Sequence, residues 1–352
     1  MTFIQACQQI NTAKSYFDLF GADPDNAKTV FRELSMIVHE DKVSKSQKAI
    51  AHEVFIKLQS LWIKAEKAIE DGNYGKESIK LISKKESYEI NSPAWTGDLC
   101  NLYRCGKKVV KIALSPLANP FLDNEAKILQ LLNNSENAEK VIDNHIPLLT
   151  DSFIVQNGKE RLKVNVLYQV KTPLATSCIS LEDVIKFYPD GVELKTAAWM
   201  FRRLLSAIGG CHANDIVHGA VLPSHFLICP DNKDGTKRSD THNGILIDFS
   251  YSVKRGETIK AISPKWKHFY PPEVLNKKEA SRGTDVYMAA FCLKYLLGKQ
   301  NIPKSVDGFI KACMIGNVNR RPKEAFSLYE EFAELLKPIF GPPKFHAFVL
   351  PE

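Results

Sequence analysis

Residues 286–297, read Val-Tyr-Met-Ala-Ala-Phe-Cys-Leu-Lys-Tyr-Leu-Leu, are apolar on nearly every side of a helix. A helix without a polar face has to be enclosed by other elements. The chain must therefore build a domain large enough to wrap this segment. Its longest apolar run is 11 residues and contains Lys294, whereas crossing a bilayer takes about 20. The segment is expected to be a buried central helix, and no membrane contact is expected. At about 150 residues per domain, 352 residues suggest roughly two domains. With 44% hydrophobic and 25% charged residues, the usage is that of a globular protein, which excludes a disordered, collagenous or repetitive chain.

The pattern changes along the chain. Residues 1–75 carry helical periodicity only. Asp23-Pro24 suits a helix start, with Asp as N-cap and Pro in the first turn. Val30, Phe31, Leu34, Ile37 and Val38 share one stripe; Val54, Phe55, Leu58, Leu61, Trp62, Ala65, Ala68 and Ile69 share a longer one. Together they predict a small antiparallel helical hairpin. The Lys-rich segment 76–85 reads as a linker or a short helix, and the linker is placed at residues 76–87. Beyond residue 88, Leu102-Tyr103-Arg104 and residues 109–114 flank Gly106 as in a β-hairpin, and Val164, Val166 and Tyr168 alternate as in a strand. From Thr196 onward helices dominate. The fold class is α+β: a small all-α unit, then a domain with a sheet lobe and a helical lobe over residues 88–345. The polar stretch 231–243 reads as a solvated loop insertion.

Two constellations carry resemblances. Tyr16-Phe17-Asp18-Leu19-Phe20-Gly21, a helix, His39-Glu40-Asp41-Lys42 and a long second helix together resemble the J-domain of DnaJ-type co-chaperones over about residues 14–75. The resemblance implies a DnaK-type chaperone as partner, met by His39 and Asp41 at the hairpin tip and by Lys28 and Arg32 on the preceding helix. The family's loop reads H-P-D-K. Glu40 stands in place of its Pro, adding a negative charge and losing the fixed φ. That change and the sparse basic residues point to weak stimulation of the chaperone.

The second constellation is an ordered series: Val109-Val110-Lys111; Glu125, 14 residues on; His218-Gly219-Ala220-Val221-Leu222-Pro223-Ser224-His225; Asp248-Phe249-Ser250; Pro271-Pro272-Glu273; Asp285; Arg320-Arg321-Pro322. In this order it resembles the protein kinase fold. The resemblance implies that Lys111 and Glu125 pair near nucleotide phosphates, that Asp248 would hold Mg²⁺ if it is bound, and that Glu273 and Arg321 form a structural pair. The catalytic loop departs from H-R-D-L-K-P-x-N. Ala220 replaces the catalytic Asp, Leu222 the Lys and His225 the Asn. At the three glycine positions of the phosphate loop stand Trp95, Gly97 and Cys100, with Asp98 beside them. Trp95 blocks backbone approach and Asp98 is an anion near any phosphate. A scaffold that has lost its transfer groups is the pattern of a pseudokinase, with no cofactor or weakly bound ATP/Mg. His225 reads as a packed loop residue, or as a metal ligand.

The eight scattered cysteines, with no C-x-x-C pair, read as reduced thiols of a cytoplasmic protein. The opening MTFIQACQQI lacks a basic segment before an apolar core, so no secretory signal is expected. The net charge is +7; residues 1–75 hold nine Lys/Arg and ten Asp/Glu, which leaves +8 on the remainder. Spread this thinly, the excess reads as a solvated surface, and nucleic acid is not an expected partner. The expected function is a non-catalytic adaptor, with a chaperone-recruiting module and a pseudokinase that binds a protein client. The alternative is a divergent nucleotide-dependent transferase using Lys111, Glu125 and Asp248.

Overall fold

The computed structural model describes residues 1–350 except 14, 22, 73, 76–78, 92, 138, 169–177, 231–242 and 343, and leaves out the side chain of Ser46. The chain forms two compact units: Met1–Ile82 with Ser87–Pro93, and Ser83–Glu86 with Ala94–Glu352.

Among its described residues the first unit holds the α-helices α1 (Phe3–Thr12), α2 (Tyr16–Phe20), α3 (Pro24–Val38) and α4 (Lys48–Glu70). The two periodic stripes form α3 and α4. Asp23 caps α3 by accepting from the Asp25 N–H, with Pro24 in the first turn. Phe31 stacks on Trp62 at 4.6 Å and His39 meets the edge of Phe55 at 5.9 Å, so the two helices run antiparallel. The expected hairpin is incomplete, because α1 and α2 also close its core. Ala6, Ile10, Leu19 and Phe20 are buried with Leu34, Val38, Leu58 and Ala65. Both extra helices start in capping boxes, Thr2 with Gln5 and Ser15 with Asp18.

The stretch read as a linker or short helix instead holds the first strand of a β-hairpin whose second strand runs past it, β1 (Ile79–Ile82) with β2 (Ser87–Ile90), in the register Ile79↔Ile90 and Leu81↔Tyr88. Tyr88 and Ile90 are each 1% exposed. Their burial, and the β-preference of Ile and Tyr, outweigh the solvation of the neighbouring lysines.

The second unit begins with β3 (Trp95–Thr96), β4 (Cys100–Cys105) and β5 (Lys108–Ala113). It continues through α5 (Asn119–Asn133), α6 (Glu139–His145), β6 (Leu148–Asn157) and β7 (Glu160–Tyr168). The strands make one antiparallel sheet in the order β3-β4-β5-β7-β6. β7 is buried on both faces, with Val164, Asn165 and Val166 all at 0% exposure; the alternation marked the strand but not its central place.

The helical part starts with β8 (Ile179–Ser180), α7 (Leu181–Phe187) and α8 (Leu194–His212). β9 (Ile216–Val217), β10 (Phe226–Ile228), β11 (Gly244–Leu246) and β12 (Val253–Lys254) follow, then α9 (Pro272–Leu275), α10 (Arg282–Leu297), α11 (Lys304–Cys313) and α12 (Ala325–Phe340). The short strands pair as β11-β10-β8 and β12-β9. The all-apolar segment forms the last three turns of α10, which packs on α8 and α11 and exposes Lys294 to solvent. α12 also packs on α8. A Cβ at Gly209 of α8 would come within 2.6 Å of the Phe326 ring, so a glycine permits that approach. The insertion 231–242 lies outside the described residues; Asn243, at its end, donates to the Asn144 carbonyl.

Candidate functional site

Between the sheet and the helical part lies a cavity of about 450 Å³, whose wall includes Gly97, Asp98, Lys111, His225 and Asp248. The central strand β5 carries Lys111 inward, where it is 3% exposed. Its Nζ lies 2.7 Å from Glu125 Oε1 of α5 and 3.0 Å from Asp248 Oδ1. Burial opposes the charge on Lys111, but Asp248 and Glu125 hold its pKa well above the usual lysine value. Burial would likewise raise the Asp248 carboxyl; Lys111, then His225, then the Ser250 hydroxyl hold it far below the ordinary carboxylate range. Lys111, Glu125 and Asp248, read as a nucleotide-phosphate group, are thus brought together, with the one cation shared between two carboxylates.

Residues that sequence reasoning passed over fix this arrangement. Asn165 Nδ2 donates to Glu125 Oε2 at 3.0 Å and to the Leu122 carbonyl, and Ser152 Oγ donates to Asn165 Oδ1. Asn124 Nδ2 donates to the carbonyls of Ser250 and Ser252, tying α5 to the chain that follows Asp248. A polar residue between two valines in a strand was the available sign for Asn165; Asn124 offered none.

Ala220, which the motif resemblance sets against the catalytic Asp, is fully buried with Val221 and Leu222. Gly219 has φ +74°, and a Cβ there would sit 3.0 Å from the Tyr251 carbonyl oxygen and from Ile259 Cδ1. The Arg of the family motif would be strained at that backbone conformation. His218 is buried, donates from Nε2 to the Ile247 carbonyl and accepts the Ala220 N–H at Nδ1. Burial pushes its pKa down to about 4. Asp285 accepts the N–H groups of His218 and Gly219 and a bond from His212 Nε2, which fixes the loop from α10.

His225 is a packed loop residue: its ring lies nearly parallel to Tyr251, and Nδ1 donates to the Ala220 carbonyl at 2.9 Å. Its Nε2 faces Asp248 Oδ2 at 3.3 Å. Mg²⁺ keeps near-octahedral oxygen ligands at about 2.0–2.1 Å. Here Oδ1 of Asp248 already accepts from Lys111 and Ser250, an imidazole faces Oδ2, and no further carboxylate stands where the motif's Asn would. Among the described residues no group of three His, Cys, Asp or Glu could hold a metal. The groups around Asp248 therefore do not fit the Mg²⁺ that the kinase motif implies.

The phosphate-loop positions are equally altered. Trp95 is 41% exposed, with the Arg104 guanidinium 4.9 Å above its ring. Gly97 donates its N–H to the Cys100 carbonyl in a tight turn, and burial pushes the Cys100 thiol up to about 12. Asp98 does not point freely at the cavity; its Oδ2 accepts from Ser263 Oγ at 2.9 Å. Away from the cavity, Arg321 donates to both Glu273 oxygens, at 2.8 and 3.2 Å.

In the first unit, His39 closes α3 and caps a single 3₁₀ turn, Glu40–Lys42, accepting the Asp41 N–H. The turn forms without Pro, and Glu40 pairs with His52 of α4 at 2.5 Å. The side chains of His39 and Asp41 are 51% and 80% exposed. Lys28 and Arg32 are exposed one turn apart on α3.

No protein-family model matches the chain. A stretch of 107 residues, 29% of the chain, is 33% identical to calcium-dependent protein kinase 22 of Arabidopsis thaliana, and covers only 19% of that protein. Among solved structures, vaccinia related kinase 3 is similar with a TM-score of 0.57 at 14% identity, over 74% of this chain and 90% of that one. The ROP18 kinase domain, solved with AMP-PNP and sucrose, gives 0.53 at 13% identity, over 79% and 90%. The fold is protein-kinase-like.

Proposed function

We propose that this kinase-like fold serves a non-catalytic adaptor. The supporting observation is the state of the loop at residues 218–225. Ala220 supplies no acceptor for a substrate proton, Leu222 is buried where a cation would meet the transferring phosphate, and His225 fills the ground beside Asp248. A positioned acid or base contributes roughly 10²–10⁴-fold, and here several transfer groups are lost together. In this reading the domain holds a protein client, while the J-like N-terminal helices recruit a DnaK-type chaperone through His39 and Asp41, with Lys28 and Arg32 beside them. The site of action is cytoplasmic; among the described residues, no helix is long and apolar enough to cross a membrane.

The alternative is a divergent nucleotide-dependent transferase. It is favoured by the intact Lys111–Glu125–Asp248 group at the wall of a cavity of about 450 Å³. One experiment separates the two. The full chain is incubated with labelled ATP, Mg²⁺ or Mn²⁺ and generic protein substrates, and in parallel with a DnaK-type chaperone whose ATPase is followed. The adaptor reading expects no incorporated phosphate, together with weak chaperone binding that is lost in His39→Gln. Phosphorylation abolished by Asp248→Ala would overturn it.

A further inference from the structure

β8 and β10 pair antiparallel with Leu227 opposite Ser180 and Ile228 opposite Ile179. The next cross-strand position sets Cys178 opposite Cys229. Their sulfurs lie 2.8 Å apart. A disulfide needs about 2.05 Å between sulfurs, so the remaining closure is less than about 1 Å, within reach of small side-chain rotations. The two thiols differ in access. Cys229 is 1% exposed, whereas Cys178 is half-buried and forms part of the cavity wall. Cys178 packs against a small apolar cluster of Val109, Ile245, Leu227 and Ile247, and Cys229 is buried beside it.

We propose that Cys178 and Cys229 form a reversible intramolecular disulfide, a modification site in the cavity wall that responds to hydroperoxides. The accessible partner reacts first. Cys178 thiolate attacks one peroxide oxygen, the O–O bond breaks, and an alcohol or water leaves after taking up a proton; Cys178 becomes the sulfenic acid. Cys229 sulfur then attacks Cys178 sulfur, gives up its proton, and the hydroxyl departs as water. In total two thiols and one hydroperoxide yield one disulfide, one alcohol (or water) and one water. Such bonds in reducing compartments are characteristically transient and redox-sensing, and a thiol reductant reverses this one. The site does not depend on whether the chain is an adaptor or a transferase.

The test uses the full chain treated with stoichiometric hydrogen peroxide, then alkylated and analysed by mass spectrometry without reduction. The expected product is a monomer lighter by the mass of two hydrogens, with two fewer of its eight thiols open to alkylation after denaturation. Tryptic peptides 172–186 and 204–233 should be joined, with fragment ions placing the link on Cys229 rather than Cys211. Dithiothreitol should restore all eight thiols. Cys178→Ser should prevent the link while leaving Cys229 alkylatable after denaturation. Eight thiols remaining after treatment, a link through any other cysteine, a disulfide between chains, or terminal oxidation of Cys178 to the sulfinic acid would each overturn the proposal. Since the wild-type chain alone gives these readings, a poorly folding variant does not protect it.

Discussion

Replacing Arg321 by Ala should destabilise the kinase-like unit more than any surface change. Arg321 is 3% exposed, and its guanidinium donates to Glu273 Oε1 at 2.8 Å, Glu273 Oε2 at 3.2 Å and the Gly283 carbonyl at 2.6 Å, while Nε donates to the Ile315 carbonyl. Truncation leaves the Glu273 carboxylate, itself 5% exposed, with only the Thr284 hydroxyl among these donors. Breaking one side of a buried pair costs about 3–5 kcal/mol, against a total stability of about 5–15 kcal/mol. At about 2–4 °C per kcal/mol for a domain of this size, the melting temperature should fall by roughly 6–20 °C. Thermal unfolding followed by circular dichroism checks this, with Glu273→Leu/Arg321→Met as the companion. Removing both charges relieves the stranded carboxylate, so the double variant should recover at least half of the loss. An Arg321→Ala protein that melts within 2 °C of the parent, or a double variant no better than the single one, would refute the reasoning.

The buried His218 predicts acid sensitivity. Its folded pKa is lowered to about 4 from about 6.5, so between those values the unfolded chain binds the extra proton. Stability is then complete above pH 6.5 and declines towards pH 4, by roughly 3 kcal/mol. Denaturant midpoints measured across that range should flatten in His218→Gln, and an unchanged slope would contradict the assignment. Asp248 works in a lower window: its depressed carboxyl contributes above about pH 4 and loses that contribution as acid protonates it, so Asp248→Asn should lessen the unfolding seen below pH 4. Millimolar Mg-ATP should leave the melting temperature unchanged, although a ligand at 100 times its dissociation constant would add about 2.7 kcal/mol. A clear upward shift that disappears in Lys111→Met would speak against the misfit argued for Asp248.

The sequence made the kinase-like fold legible because widely spaced residues had to be buried in a fixed order. Lys111, Glu125, Asp248, Asp285, Glu273 and Arg321 are charged groups that need partners once desolvated, and the structure gives each one a partner at hydrogen-bond distance. The long amphipathic helices α3 and α4 were readable because period and burial agree along most of each stripe, with Ile69 at the end of α4 left exposed, and α10 was readable because a segment without a polar face has to be enclosed. Short elements were not. Helix α2 has five residues, too few for a stripe, and the sequence marked the region only as part of the motif Tyr16–Gly21, not as a helix. The hairpin β1–β2 was hidden by lysines, since a two-sided strand with one face in solvent shows charge more loudly than alternation. Asn124 and Asn165 hold the candidate site through backbone carbonyls and side chains brought close only by the fold, and no local pattern records such meetings. Cys178 and Cys229 were similarly dispersed, 51 positions apart, until strand pairing set them side by side.

The left-handed glycine before Ala220 bears on how this chain could be re-engineered. Any side chain at 219 must occupy a backbone conformation that L-residues rarely adopt, and it meets the Tyr251 carbonyl oxygen at 3.0 Å. A carboxylate at 220 would enter an enclosed apolar region among Val221 and Leu222, at a desolvation cost of several kcal/mol. A lysine at 222 would have to leave that same interior. The three changes a designer would first write down therefore run uphill separately, and none supplies the partner that another needs. If the chain is the non-catalytic adaptor proposed above, stepwise selection for phosphotransfer should stall at the first substitution; a successful library would have to vary residues 219–222 together with Tyr251 and Ile259, the groups that close over the loop.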